Sequence, residues 1–242
     1  MKCIGLLGGM SWESTVSYYQ ALNRGVRARL GGLHSARVLL NSVDFAEIER
    51  LQHAGDWSAT ARLLAAEARA LQAGGADFLM IGTNTMHKVA PEIEAAIEIP
   101  LLHIADATAR RLQADGVTRV GLLGTRFTME QDFYKGRLEA QFGLEVLVPA
   151  EEQRERVHRI IYDELCLGQI HEPSRAEYLA IIAELAQAGA QAVILGCTEI
   201  ALLVGECQAA VPLYDTTAIH ADAAVAWALR RLPYSCRHPP RS

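Results

Sequence analysis

The sequence predicts an α/β protein of two similar domains, each a parallel sheet covered by helices, and two observations carry that prediction. The first is that short apolar runs alternate with helical patterns along the chain, as they do in parallel sheets with helical crossovers. The second is an internal repeat. Ile4-Gly5-Leu6-Leu7-Gly8 returns 116 residues later as Val120-Gly121-Leu122-Leu123-Gly124. Gly75-Ala76 running into Gly82-Thr83 returns 114 residues later as Gly189-Ala190 running into Gly196-Cys197, and Pro100-Leu101 returns 112 residues later as Pro212-Leu213. Three matches in one order, with offsets drifting by two, indicate duplication. Duplicated halves pair about a pseudo-two-fold axis, which places the active site in the cleft between the domains. Residues 83 and 197 then flank one bound molecule from opposite sides.

The expected strands, in order, are 3–7, 36–42, 78–81, 101–103, 120–123, 145–147, 192–195 and 211–214. Between them, segments such as 58–73, 129–141 and 174–188 are rich in Ala, Leu and Glu, with apolar residues recurring at three and four. A last helix over 216–232 is expected to pack back on the first domain. This divides the chain into a first domain of 1–103 plus 214–232, a second of 104–213, and a Pro- and Arg-rich tail, 233–242, expected to be disordered.

Composition bounds the function. Half of the 242 residues are apolar and 21% are charged, which suits a soluble domain with a substantial core. A net charge of −5 with no Lys/Arg run argues against a nucleic-acid partner. The apolar stretch 3–10 is too short to span a membrane and does not read as a signal peptide, so no membrane partner is expected. Five scattered cysteines show neither CxxC nor Cys/His ligand spacing, so neither a disulfide framework nor a metal site is expected. A reducing cytoplasm is the expected location. Cys3, Cys166 and Cys207 read as small buried hydrophobes, and Cys236 goes with the tail.

In open parallel sheets, ligands bind beyond the carboxyl ends of the strands. Four turns there stand out: Gly8-Gly9-Met10-Ser11, Gly82-Thr83-Asn84-Thr85, Gly124-Thr125-Arg126-Phe127-Thr128 and Gly196-Cys197-Thr198-Glu199. Each opens a helix and so offers free N–H groups, to which Thr hydroxyls and the Asn84 amide add donors suited to a small carboxylate. The plainer reading of Ser, Thr and Asn here is helix N-capping. The first turn fits neither GxGxxG nor GxxxxGK[ST], which argues against a nucleotide.

Cys197, at a strand end and a helix start, is expected to have its pKa drawn below the free value of about 8.5. Glu199 could exchange a proton with it or cap the helix. Thr83 holds the equivalent place in the first half, but a hydroxyl is a poor base, so the two faces of the site are unequal. His87, one turn on, and His103, after a strand, are candidate bases, though a lone His at a helix start is more often structural. Gln52 and Asp44-Phe45 follow the second strand, within reach of the cleft. Lys88 is the only lysine near a candidate site, and nothing resembles a phosphate cup for pyridoxal phosphate beside it.

On these residues the chain resembles the aspartate/glutamate racemase family, a cofactor-independent group. The resemblance rests on Gly5-Leu6-Leu7-Gly8-Gly9-Met10-Ser11, Asn84-Thr85-Met86-His87, Gly124-Thr125 with Thr128, and Gly196-Cys197-Thr198-Glu199. It implies two cysteines, one per domain, acting on opposite faces of an α-carbon. Cys197 matches the second; Thr83 replaces the first. It also implies a small amino-acid substrate held by Met10, Ser11, Gln52, Asn84, Thr85, Thr125, Thr128 and Thr198, with His87 and Glu199 as auxiliaries, no cofactor, and a homodimer. Cys197 is then expected to take the α-proton of L-aspartate or L-glutamate, with Thr83 or a water returning one on the other face. Arg126, Gln52 and Lys88 are candidates for the side-chain carboxylate, while an apolar pocket there would indicate a broader range. Two readings compete: a single-cysteine decarboxylase of the same superfamily, and a non-catalytic amino-acid sensor.

Overall fold

The computed structural model describes residues 1–205 and 209–230, so the expectations for Cys207, Cys236 and the 233–242 tail lie outside the described residues. The first half comprises β1 (Ile4–Gly8), α1 (Trp12–Leu30), β2 (Val38–Ser42), α2 (Phe45–His53), α3 (Trp57–Ala73), β3 (Phe78–Ile81), a 3-10 segment Thr85–Val89 and α4 (Ala90–Ala95). Next come α5 (Ile104–Ala114), β4 (Arg119–Gly124), α6 (Arg126–Glu130), α7 (Lys135–Phe142), β5 (Glu145–Leu147), α8 (Glu151–Asp163), a 3-10 turn Leu165–Leu167 and α9 (Glu172–Gln187). The described chain closes with β6 (Ala192–Gly196), α10 (Ile200–Val204), β7 (Leu213–Asp215) and α11 (Thr216–Leu229).

The fold is α/β in two domains. One sheet runs β2-β1-β3 and the other β5-β4-β6-β7, with every pairing parallel. The repeat extends to register: Ile4 faces Phe78 in the first sheet, and its counterpart Val120 faces Ala192 in the second. The Leu79 N–H donates to the Pro100 carbonyl, as the Val193 N–H donates to that of Pro212, both at 2.9 Å. Gly75 and Gly189 enter β3 and β6 with φ of 96° and 98°, a conformation that a side chain would oppose.

Strands buried on both faces need near-continuous apolar sequence, and β1, β3 and β6 are buried at every position. Alternate residues feed opposite faces. Leu7, Leu79 and Ile81 pack with Leu64 and Ala68 of α3, whereas Ile4, Leu6, Phe78 and Met80 pack with Tyr18 and Leu22 of α1 and Ala221 and Val225 of α11. The last helix therefore returns to the first sheet. The second core gathers Ile104, Leu122, Tyr134, Val157, Ile182 and Leu195 around the other sheet. Each fully buried aliphatic side chain stabilises by about 1.5–3 kcal/mol.

Two expected elements differ. The strand at 101–103 shrinks to one bridge between Leu101 and Leu79, because His103 already caps α5 and turns the chain out of the sheet. The helix at 129–141 is split into α6 and α7: Gln131 is extended, and Tyr134 beyond the break is wholly buried in the second core. Among the described residues no helix is long and apolar enough to cross a membrane.

Candidate active site

The turns following β1, β3, β4 and β6 converge on one small cavity. It is lined by Met10, Gln52, Thr83, Asn84, Thr85, Thr125, Cys197, Thr198 and Glu199 of the sequence candidates, with Phe45 after β2. Met86, Ile161, Tyr162, Cys166 and Gly196 complete the wall. Thr83 and Cys197, equivalent in the repeat, thus share one cavity. Ser11 and Thr128 do not line it. Ser11 stands behind Glu199, and Thr128 behind Thr125 at 3.2 Å between hydroxyls.

N-capping accounts for part of the pattern. The Ser11 hydroxyl accepts the Ser14 N–H, and that of Thr125 accepts the Thr128 N–H, each at 3.4 Å. Asn84 and Glu199 also occupy cap positions but make no cap bond with their side chains. Both are buried, and the bonds their side chains make go elsewhere.

Glu199 is the hub of the second half. Its Oε1 accepts from Ser11 Oγ at 2.7 Å, and its Oε2 accepts from Thr198 Oγ1 at 2.5 Å and from Cys197 Sγ at 3.0 Å. The expected lowering of the Cys197 pKa is corrected by this arrangement. Burial, followed by the Glu199 carboxylate, pushes the thiol well above its ordinary value. The helix beyond is only Ile200–Val204, so its end offers little dipole, and the nearest charge is the wrong sign to favour a thiolate. The Cys197 sulfur is a donor, with the Glu199 carboxylate as its acceptor at 3.0 Å.

The first half presents neutral amides and hydroxyls. Thr216 Oγ1 donates to the Leu195 carbonyl at 2.8 Å, so its oxygen can only accept from Asn84, at 3.1 Å. That orients the amide with Nδ2 toward Thr216 and leaves Asn84 Oδ1 buried without a partner. Gln52 Nε2 donates to the Tyr162 hydroxyl at 2.6 Å, and its Oε1 is likewise buried and unpartnered. Both residues line the cavity, and buried carbonyl oxygens left unpaired are costly, so a ligand bearing N–H donors would relieve them. The Thr83 hydroxyl makes no hydrogen bond to protein among the described residues and is free to meet a ligand or water.

The turns are bonded across the interface between the halves. Thr85 and Thr125 share a hydroxyl–hydroxyl bond of 3.0 Å, Ser11 reaches Glu199, and Gln52 reaches Tyr162. Neither basic candidate for a side-chain carboxylate lines the cavity. Arg126 pairs with Glu155 at 3.4 Å, and Lys88 lies 4.0 Å from the centre of the Trp57 ring.

His87 and His103 do not line the cavity either. His103 accepts the Ala105 N–H at 3.2 Å as the cap of α5, and burial lowers its pKa to about 3. His87 is enclosed, and burial, with His103 and His220 beside it, lowers its pKa well below the ordinary value. Cys166, expected as a buried hydrophobe, is instead half-buried in the cavity wall with its thiol pKa pushed up by burial. Ile161 and Tyr162 escaped sequence reading because they lie on the apolar face of α8, where nothing distinguishes a wall residue from a core one. Among the described residues no cluster of three His, Cys, Asp or Glu side chains could hold a metal.

Comparisons with known proteins show which family and fold the chain shares. The family model described as Asp/Glu/Hydantoin racemase matches residues 7–224. A Yersinia pestis protein solved as a candidate Asp/Glu racemase is 56% identical, with a TM-score of 0.89 over 95% of this chain and 100% of that one. An aspartate racemase homologue from Pyrococcus horikoshii is 32% identical, with a TM-score of 0.82 over 95% and 100% of the two chains. The broad specificity amino-acid racemase RacX of Bacillus subtilis is 26% identical over 160 residues, which span 64% of this chain and 66% of that protein.

Proposed function

This chain belongs to the Asp/Glu/hydantoin racemase family, and from that premise we propose a cofactor-independent amino-acid racemase that moves the α-proton of L-aspartate or L-glutamate. Cys197 is the base on one face, and Thr83, or a water it holds, is the proton donor on the other. The observation that carries this reading is the placement of Cys197 and Thr83, equivalent in the repeat, in the wall of one cavity.

The chemistry follows from the groups present. The α-ammonium donates to the orphaned Asn84 Oδ1 and Gln52 Oε1. The carboxylates take turn N–H groups and the Thr85 hydroxyl, which is free to donate when its oxygen accepts from Thr125. The incoming positive charge opposes the effect of Glu199 on the thiol, favouring its ionised form. The Cys197 proton passes to Glu199 along their 3.0 Å bond, and the thiolate removes the α-proton. The carbanionic charge spreads into the α-carboxylate, where that hydroxyl and the N–H groups stabilise it. A proton delivered from the Thr83 side gives the opposite enantiomer, and the cycle closes when Glu199 releases its proton to solvent and solvent reprotonates the donor. Because a hydroxyl is a poor base, the D-enantiomer is deprotonated very slowly.

One observation favours a wider substrate range. Among the described residues no Lys or Arg lines the cavity, and Phe45, Ile161 and Tyr162 give part of its wall an apolar character that neutral side chains suit. Proton NMR of L-aspartate, L-glutamate, neutral L-amino acids and their D-forms in deuterated buffer tests both readings. Loss of the α-proton signal from L-forms, abolished in Cys197→Ala, is the expected result. Binding without exchange in any of them would leave a sensor.

A further inference from the structure

His87 uses both ring nitrogens on backbone groups that helix geometry leaves without partners. In an α-helix the His87 N–H would bond to the Thr83 carbonyl four residues back. Here the segment winds as a 3-10 turn, and that N–H goes to the Asn84 carbonyl at 3.1 Å. Among the described residues no backbone N–H reaches the Thr83 carbonyl; the His87 Nδ1 takes it instead, at 2.8 Å. On the other edge of the ring, Nε2 faces the N–H of Ile104 at 3.2 Å, an unpaired first-turn donor of α5. A carbonyl only accepts and an N–H only donates, so the ring is neutral, with its hydrogen on Nδ1. No nitrogen is left for a substrate. The repeat underlines the contrast: the Cys197 carbonyl accepts the Ile200 N–H at 3.2 Å, and Ala201 stands where the first half has His87.

We infer that His87 is a positioning residue for the Thr83 face, holding the Thr83 backbone through its carbonyl so that the free hydroxyl meets the cavity. The inference rests on the racemase reading and specifies which half-reaction the residue serves. Removing the Nδ1 donor loosens reprotonation at Thr83 while leaving proton abstraction at Cys197 in place. His87 is not the base.

Two amide substitutions separate the two ring edges. His87→Asn places an N–H near the Nδ1 position and keeps the bond to Thr83. His87→Gln places its amide near the Nε2 position, where its oxygen accepts from Ile104 but nothing reaches Thr83. Two rates are read on the same L-amino acid in deuterated buffer: loss of the α-proton signal, and appearance of the D-enantiomer by chiral chromatography. For His87→Gln we expect exchange within about twofold of the unmodified enzyme and inversion down about tenfold or more, the scale set by small misplacements of a reacting group. For His87→Asn we expect inversion to be retained. Equal loss of both rates in His87→Gln, or the same ratio in both variants, overturns the positioning role. Imidazole nitrogen NMR of the unmodified protein provides a check that does not depend on variant folding, because an Nε2–H tautomer at neutral pH also overturns it. Absence of α-proton exchange in the unmodified enzyme is a different failure, that of the racemase reading itself.

Discussion

The turn at residues 83–87 and the turn at 197–201 follow the third strand of their respective repeats, yet their internal bonding differs. In the first, a 3-10 path leaves the Thr83 carbonyl to a histidine side chain, and the groups facing the cavity are neutral. In the second, the Cys197 carbonyl finds a backbone N–H, and the side chains form a thiol–carboxylate pair with Thr198 and Ser11 as further donors. Thr85 and Glu199 occupy equivalent positions, and both reach across to a turn of the other half, Thr85 to Thr125 and Glu199 to Ser11. A duplicated backbone has thus kept its cross-bonding plan while placing the thiol–carboxylate pair in one half. Sharing a fold position does not give two residues the same chemistry.

Replacing Thr83 by Cys should have the largest effect on that asymmetry. It restores an ionisable group on the weak face, so α-deuterium incorporation into D-aspartate or D-glutamate should rise about a hundredfold or more, on the scale of acid–base catalysis. No gain in a folded variant would mean that the first turn does not face the α-carbon.

Glu199→Gln probes the strong face. It removes the acceptor for the thiol proton, and exchange from L-substrates should fall about tenfold to a hundredfold, at the lower end of acid–base catalytic contributions. It also removes a negative charge that holds the thiol pKa up, so that pKa moves down. Iodoacetamide should alkylate Cys197 slowly at neutral pH in the unmodified protein, with the rate climbing only above the ordinary thiol range. In the variant that profile should shift to lower pH. Faster alkylation with slower exchange would separate thiol ionisation from proton relay, whereas an unshifted profile would remove Glu199 from the mechanism.

The smallest effect concerns the bond between the halves. Tyr162→Phe removes the 2.6 Å bond from Gln52 and should cost about 1 kcal/mol of stability, read as a modest drop in the thermal midpoint. It also frees the Gln52 amide, so KM is expected to change more than kcat. An unchanged KM would place Gln52 outside substrate binding.

Much of this was legible in the residues. Glycine-punctuated apolar runs marked β1, β3, β4 and β6, and the drifting offsets located Thr83 opposite Cys197. The strand-end rule then picked out most of the cavity wall. Other features had no local signature. Ile161 and Tyr162 look like core residues of an amphipathic helix, and Cys166 like an inert thiol. Ser11 and Thr128 carry the same chemistry as the lining residues yet stand one layer back. The thiol pKa was misread because helix-end position is visible in sequence, whereas burial and the approach of a carboxylate are not.

By itself the sequence determined the strand–helix alternation, the duplication and the residue types that end each strand, because apolar periodicity and turn chemistry are local properties of the chain. Tertiary structure decided which of those residues meet. It set Glu199 against Cys197 and Ser11, turned His87 away from the cavity onto two backbone groups, and left Asn84 Oδ1 and Gln52 Oε1 buried and unpaired. Hydrogen-bond partners and desolvation are set by distances between segments far apart in the chain, and those distances exist only after the two sheets have packed together.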